Sequence, residues 1–575
     1  MPIQISCSAL VFAGQKGRKL LVPAAITLSA PVGIPAGTQC RVRVSLLSSN
    51  APGVFSIQAV PGTWNTVNVP GTIASVESAQ PFDPNVALPA FTALASYLDN
   101  NSLTTPTNGY SATYLVEVIN SVPAPLGALE FGMTGSAVPA QSVNVVFAVD
   151  HGSSMGRTDA FGVTRLTRLT AALSRGVGLL RDDDTLSVVS FANLLCSNNP
   201  QLAADPALAA QQAAATSLAS RLTVDTSVPA LKCIQMGIDA GRALSQPPSS
   251  PPATLVLLTD GVNTNAGGHV LVKPTLPTSA LIIGEDPNRI PISATTMVSA
   301  DGHYAFASAQ TLGEFAIEKL LTQVLIGLGG STFINDPEGS LEPGGSQSFP
   351  VQITEADQEL EVIVFSNDAR TIDIGFTDHG GALAEQGKKG SECDRHLNHE
   401  VVRDKGYVIT RSPIAPLTPD FMGNPQVVVR RAQAATHRGN APVRFNLLVV
   451  AKTDLMLDAQ VTAAGLEVGS DLLFSAVLTE YGRAWTRSGV CVRVDLTHPD
   501  GGIQTLELEE CSPGRFQAQL RSFRAGAYLA HFIATGKSLL HHRPFRRECL
   551  RTVAVFPPRD CSERVDPCAL TRAEG

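Results

Sequence analysis

The chain has 575 residues, which is enough for about three to five domains of ordinary size. Charged residues make up 16% of it, the net charge is −8 and no run of five like charges occurs, so a nucleic-acid partner is not expected. No stretch approaches the roughly 18 consecutive apolar residues of a membrane-spanning helix, so no membrane span is expected either.

The N-terminal residues and the cysteines point to a location inside the cell. Lys16, Arg18 and Lys19 follow the first apolar stretch instead of preceding it, which is the reverse of a secretory signal. The ten cysteines are scattered along the chain without a CxxC pair. We therefore expect a cytoplasmic protein with reduced thiols, while Cys561 and Cys568 could close a small loop in an oxidising compartment.

Residues 1–142 are poor in charge, since only ten of them are Lys, Arg, Asp or Glu. Within this segment, residues 39–47 alternate apolar and polar side chains, and residues 112–119 form a second β-rich run. Connections rich in Pro, Gly, Asn and Ser separate such runs. The pattern predicts an N-terminal β-sandwich over residues 1–142.

Residues 143–328 have a different texture, in which apolar runs of strand length alternate with helical patterns. In residues 164–181 leucine and valine recur at steps of three and four, which is the stripe of an amphipathic helix. Alternating strands and helices predict a parallel sheet with helices on both faces. The predicted fold class is therefore multidomain α/β plus all-β, with a central Rossmann-like doubly wound domain and flanking β-sandwiches.

The remaining sequence is β-rich again. Alternating or apolar runs occur at residues 371–376, 444–450, 472–478 and 490–496. We assign a β-sandwich to residues 329–465 and an Ig-like or fibronectin-like sandwich to residues 466–575.

Polar residues follow the predicted parallel strands at the points where those strands end. Asp150 follows the first strand, and Asp260 follows the strand of residues 254–259. Ligands of open α/β sheets bind outside the carboxyl ends of the strands. Two carboxylates with nearby hydroxyl groups make a site for a hard cation, and so few carboxylates suit Mg²⁺ better than a closed calcium cage.

Five motifs follow one another over about 185 residues of this segment: VNVVFAVDHGSSMG, RLTRLTAALSRGVGLLRDDDTLSVVSFAN, VDTSVPAL, TLVLLTDG and ALIIGED. Their order and spacing resemble the von Willebrand factor A (VWA) domain. The resemblance implies a metal-ion-dependent adhesion site formed by Asp150, Ser154, Thr226 and Asp260, where a protein partner adds an acidic side chain to bound Mg²⁺, Mn²⁺ or Ca²⁺. Gly152 stands where the family has a serine, which implies weaker metal binding.

This interpretation predicts a non-enzymatic, cation-dependent adhesion or scaffold protein. The two later sandwiches are faintly similar to modules that follow the A domain in calcium-activated chloride channel regulators. The alternative, from another functional class, is a metal-independent structural component of a larger assembly.

Two chemical alternatives remain open at this point. Gly152, Ser154 and Gly156 match the nucleophile elbow of serine hydrolases, with Asp260 and either His269 or His303 to complete a triad. Separately, a zinc site is conceivable at three residues spaced by three, namely Cys393, His396 and His399.

Overall fold

The computed structural model shows a chain made mainly of β-strand. Of the residues that it describes, 56% lie in strands and 14% in helices. Those residues are 3–558 apart from 8, 16–19, 30–33, 52, 60–62, 98–108, 121–124, 139–142, 160–161, 182–183, 193–207, 227–232, 245–252, 262–271, 273, 275, 285–296, 299–303, 308–314, 329–330, 378–382, 385–399, 405, 414–424, 433–440 and 487.

The N-terminal part contains two sheets that share one hydrophobic core. Its strands are β1 Gln4–Cys7, β2 Leu10–Gln15, β3 Leu20–Ser29, β4 Arg41–Ser49, β5 Phe55–Gln58, β6 Trp64–Val67, β7 Ala74–Ser78, β8 Phe91–Tyr97, β9 Tyr110–Ile119 and β10 Gly127–Val138. The sheet orders are β1-β3-β8-β5 and β2-β10-β9-β4-β7-β6. Strand β9 alternates buried and more exposed residues because only one of its faces packs on the core.

The central part contains a parallel sheet. Its strands are β11 Asn144–Asp150, β12 Thr185–Phe191, β13 Thr254–Thr259, β14 Thr278–Ile283 and β15 Tyr304–Ala307, in the order β12-β11-β13-β14-β15. The helices of the described segment are α1 Arg165–Val177, α2 Leu208–Arg221, α3 Ile234–Leu244 and α4 Ala316–Leu328. Both faces of the inner strands are buried, which explains their near-continuous apolar sequences.

The two faces of this sheet are covered differently. Val145, Phe147 and Val149 of β11 share a core with α1, α2 and α4. Alternate residues point to opposite faces, so Val146 and Ala148 face the other side, where α3 and Phe556 from the C-terminal part cover them.

The predicted fold class, a multidomain α/β chain with a central Rossmann-like doubly wound VWA domain, is therefore wrong. The described residues are mainly β-strand, and the second face of the parallel sheet is completed partly by the chain beyond residue 550. Strand and helix periodicity within one segment does not reveal what covers the segment's second face.

The C-terminal part is built from nineteen strands in the described residues. They are β16 Ser331–Asn335, β17 Glu338–Leu341, β18 Ser346–Pro350, β19 Asp357–Ser366, β20 Ile372–Thr377, β21 Leu383–Ala384, β22 Glu400–Arg403, β23 Tyr407–Pro413, β24 Gln426–Arg431, β25 Val443–Thr453, β26 Leu455–Ala463, β27 Asp471–Glu480, β28 Arg483–Ala484, β29 Cys491–Thr497, β30 Ile503–Glu507, β31 Glu509–Ser512, β32 Arg515–Arg521, β33 Gly526–Lys537 and β34 Pro544–Val555.

One ten-stranded sheet runs through this part in the order β22-β23-β19-β25-β16-β34-β33-β29-β30, with β17 paired to β25. Strand β16 pairs with β25 on one side and with β34 on the other. The sheet thus contains strands from both segments that we assigned to separate sandwiches. Two smaller sheets, β18-β24-β20-β21 and β26-β27-β32-β31, complete the first and second halves of the C-terminal part.

The boundaries of the four domains assigned from the sequence stay predictions.

Charged side chains join the segment that follows α1 to this large sheet. Arg181 makes two hydrogen bonds to Glu359 of β19, at 2.8 and 2.9 Å. Arg411 of β23 donates to Glu361 at 2.9 Å and to the carbonyl oxygen of Leu179 at 3.1 Å. Burial raises the pKa of Glu361, and the charges of Arg411 and Arg181 oppose that rise. The contact between the parallel sheet and the β-sheet is thus ionic as well as apolar.

A second buried ion pair holds β34 in place. The side chains of Arg547 and Asp357 are both fully buried and form an ion pair. Arg547 also donates from Nε to the carbonyl oxygen of Leu455 at 3.1 Å. Removal of either partner would leave an uncompensated buried charge. The two halves of the C-terminal part are therefore fixed to each other by charge as well as by the shared sheet.

Gly178, directly after α1, allows a direct test of the contact with the large sheet. A Cβ atom added there would clash with the hydroxyl group of Tyr407. We expect Gly178→Ala to lower the free energy of unfolding by about 1–3 kcal/mol, the usual cost of overpacking. Chemical denaturation of the full chain measures it.

Gly327→Ala is the matched control, because an added Cβ there meets nothing within 4 Å. It should leave the stability unchanged or raise it, since alanine favours helix over glycine by about 1 kcal/mol. Adding Tyr407→Phe to Gly178→Ala should recover part of the loss. Equal stabilities of Gly178→Ala and wild type would show that the two parts do not pack as described.

Candidate functional site

The candidate site lies at the carboxyl edge of the parallel sheet. Strands β11 and β13 are neighbours, with Val149 opposite Leu258. Asp150 therefore ends one strand beside Thr259, which ends the next, and Asp260 follows. The structure places the two carboxylates of the sequence prediction on adjacent strand ends, as expected from the parallel arrangement.

Asp150 is fully buried, and its carboxylate is hydrogen-bonded within the protein. One oxygen, Oδ2, accepts a hydrogen bond from the Thr259 hydroxyl at 2.6 Å. The other, Oδ1, accepts from the backbone N–H of Gly152 at 2.9 Å. Sequence reasoning missed Thr259, because a threonine that ends a buried strand looks like any β-branched strand residue. Both oxygens of the buried carboxylate therefore have hydrogen-bond partners.

Asp260 has an ionic partner. Its side chain is fully buried, and Oδ2 lies 3.2 Å from Nη1 of Arg165. Arg165 is the first residue of α1, where the helix dipole disfavours a cation. In the sequence, this arginine stands out only as part of an amphipathic helix. A basic residue in a first helical turn without acidic neighbours was the available signal that it pairs with a carboxylate elsewhere.

The loops around these carboxylates carry the other predicted residues. Ser154 is half-buried on a short 3₁₀ turn, Ser153–Gly156. Thr226 is exposed on the loop after α2, and that loop is tied to β11 because the N–H of Asp225 donates to the carbonyl of His151 at 2.8 Å. Ser154 thus lies on the turn that follows β11, and Thr226 lies at the exposed rim.

His151 is a further buried polar residue at this edge. Its Nδ1 lies 3.0 Å from the carbonyl oxygen of Thr223, which fits a hydrogen bond donated by the ring. Within the described part of the chain, its Nε2 is buried without a hydrogen-bond partner, and so is Nε of Arg165. Buried nitrogen atoms without partners are uncommon and costly.

The fit of a divalent cation to this edge is poor. Carboxylate and hydroxyl oxygens are suitable ligands for Mg²⁺. The guanidinium of Arg165, however, already supplies the positive charge beside Asp260 and would repel a second cation. Binding of Mg²⁺ by Asp150, Ser154, Thr226 and Asp260 stays a prediction.

The broader description as a metal-binding adhesion-site protein is not upheld. Across the described residues, no group of three or more His, Cys, Asp and Glu side chains is placed to hold a metal ion. The possible zinc residues Cys393, His396 and His399 lie outside the described residues.

The structure does not favour the hydrolase alternative either. The elbow motif forms a 3₁₀ turn, and α1 begins only at Arg165 instead of running directly on from the serines. His151, the histidine nearest in sequence, directs Nδ1 to a backbone carbonyl. His269 and His303 lie outside the described residues.

Comparisons with known proteins identify no family. No family model and no curated protein matches the chain. Among solved structures, the chain is similar to the pilus adhesin RrgA from Streptococcus pneumoniae, with 10% identity, 97% of each chain covered and a TM-score of 0.25. It is also similar to the conserved hypothetical protein BatB from Bacteroides thetaiotaomicron, with 17% identity over 32% of this chain and 98% of that one, at a TM-score of 0.24.

TM-scores of this size do not establish a shared fold. The resemblance to VWA-domain proteins is therefore corrected: no family model supports it, and the described residues are mainly β-strand. Among those residues, none of the helices is both long and apolar enough to cross a membrane.

The hydroxyl of Thr259 gives a test of the site's internal bonding. Thr259→Val keeps the shape of the side chain but removes the donor to Asp150 and the acceptor for the N–H of Gly261. We expect the free energy of unfolding to fall by about 1–3 kcal/mol, the cost of unsatisfied buried groups. Thr226→Val, on the exposed rim, should change it by less than about 0.5 kcal/mol. Equal effects of the two substitutions in denaturant titrations would contradict the described bonding.

Proposed function

We propose that this chain is a non-enzymatic binding or scaffold protein of an adhesive or structural assembly, and that its binding requires no divalent cation. The observation that carries this proposal is the fusion of its parts. One sheet joins strands from residue 331 to residue 555. The Arg181–Glu359 pair and the hydrogen bond from Arg411 to the carbonyl of Leu179 join the segment after α1 to it, and a buried ion pair fixes β34. Parts that are joined in this way hold their binding surfaces in constant relative positions.

The carboxyl edge of the parallel sheet is the proposed contact surface. Ser153, Arg157 and Thr226 are exposed there, above the buried carboxylates. They offer hydrogen-bond donors and one positive charge to a protein partner. The ion pair of Asp260 with Arg165 supports independence from metal, because the buried carboxylate already has a counter-charge.

A second candidate is cation-dependent adhesion, in which a partner's acidic side chain completes the coordination of Mg²⁺. The observation that favours it is the position of Asp150 and Asp260 on adjacent strand ends. A cytoplasmic location remains part of the proposal. Among the cysteines that the structure describes, Cys40, Cys233, Cys491, Cys511 and Cys549 form no disulfide.

Capture of partners by the full chain distinguishes the two candidates. Lysate of the producing cells is passed over immobilised protein in EDTA and, separately, in Mg²⁺. We expect the same bound proteins in both, because no metal takes part in the contact. Binding that is lost in EDTA and restored by Mg²⁺ would instead support the cation-dependent candidate.

Two variants locate the contact. Thr226→Arg adds bulk and charge to the exposed rim and should reduce capture at least tenfold. Val86→Arg is the control, because Val86 is 82% exposed in the N-terminal part and distant in sequence from the edge. Unchanged capture by Thr226→Arg would move the contact to another surface of the scaffold.

A further inference from the structure

We propose that Arg165 is the resident cation of the carboxyl edge, and that its guanidinium excludes divalent metal ions from Asp260 and its neighbours. This inference rests on the metal independence of the proposed function and gives that independence a cause in one residue. The contact that carries it is the approach of Nη1 of Arg165 to Oδ2 of Asp260 at 3.2 Å.

Because this pair is buried, the charge of its guanidinium acts strongly on any other ion nearby. The Asp260 side chain is fully buried and that of Arg165 is 12% exposed, so little water screens them. A metal ion beside Asp260 would lie close to the guanidinium and would be repelled. Metal could bind only if Arg165 first moved away from the carboxylate, and arginine cannot be neutralised by losing its proton.

The backbone fixes Arg165 at this place. Its N–H donates to the carbonyl of Arg157 at 2.9 Å, and the hydroxyl of Thr164 accepts from the N–H of Thr167 to cap the helix. The first turn of α1 is thus anchored next to the carboxyl edge. A cation at a helix N-terminus is unfavourable, so the attraction of Asp260 is what offsets that cost.

The unpartnered Nε of Arg165 supports the same reading. This nitrogen is buried without a hydrogen-bond partner in the described residues. Burying this nitrogen without a partner costs free energy. A strong interaction made by another nitrogen of the same guanidinium must offset that cost. The pair with Asp260 is that interaction.

The test measures direct metal binding by purified full-length protein, with free Mn²⁺ counted by electron paramagnetic resonance and Mg²⁺ followed by calorimetry. Wild type should show no binding tighter than about 1 mM, the weak-affinity range. Arg165→Gln removes the charge and keeps much of the bulk, and it should bind Mn²⁺ at least tenfold more tightly. Arg165→Lys, which keeps the charge, should behave as wild type does.

Two controls assign the effect to this site. Arg168→Gln changes a neighbouring arginine of α1 that pairs with Asp159 at 2.7 Å, and it should leave metal binding as in wild type. Adding Asp260→Asn to Arg165→Gln should abolish the gain. Arg165→Met is a second charge-free variant in case the glutamine variant fails to fold.

Submillimolar Mn²⁺ binding by wild type, or no gain in either charge-free variant, would overturn the role of Arg165. This failure is distinct from failure of the proposed function. Partner capture that depends on Mg²⁺, combined with the expected Mn²⁺ results, would reject the proposed function and place the required ion at another site.

Discussion

The contact between the end of α1 and the ten-stranded sheet is the constraint on which the rest of the structure depends. A helix ends with carbonyl groups that have no partner within the helix. Here Arg411 donates to the carbonyl of Gly178, the residue that caps α1, and to that of Leu179, 232 positions earlier in the chain. Glu361 accepts a hydrogen bond from the same guanidinium. A cation at a helix C-terminus also complements the helix dipole. The parallel sheet is therefore completed by the sheet that follows it.

This dependence explains how much the sequence could predict. The helical stripe over residues 164–181 corresponds to α1, Arg165–Val177, and the apolar run at residues 254–259 is β13. Those features depend on local periodicity, which a sequence displays directly. The burial of Val146 against Phe556 depends on residues 410 positions apart, and no periodic pattern contains that information. The fold class predicted from the sequence was wrong for this reason.

The carboxyl edge shows the same division between local and distant information. Strand ends predicted the positions of Asp150 and Asp260. Their partners could not be predicted: Thr259 contacts Asp150 from the neighbouring strand, 109 positions away in sequence, and Arg165 contacts Asp260 across 95 positions. The motifs that resemble the VWA domain include Asp150 and Asp260, but the resemblance does not indicate that Arg165 pairs with Asp260. The charge of an edge depends on both, so its chemistry could be judged only from the folded chain.

The central claim, that the parallel sheet and the large sheet form one cooperative unit, is tested most directly by a double-mutant cycle on Arg181 and Glu359, which pair across the contact between them. Arg181→Met, Glu359→Gln and the double variant are compared with wild type by calorimetry. Wild type should unfold these parts in one transition. Because the pair is partly exposed, the coupling energy between the two substitutions should be about 0.5–1 kcal/mol, so the double variant should lose less than the sum of the single losses. Two separate transitions in wild type, or strictly additive losses, would contradict the claim.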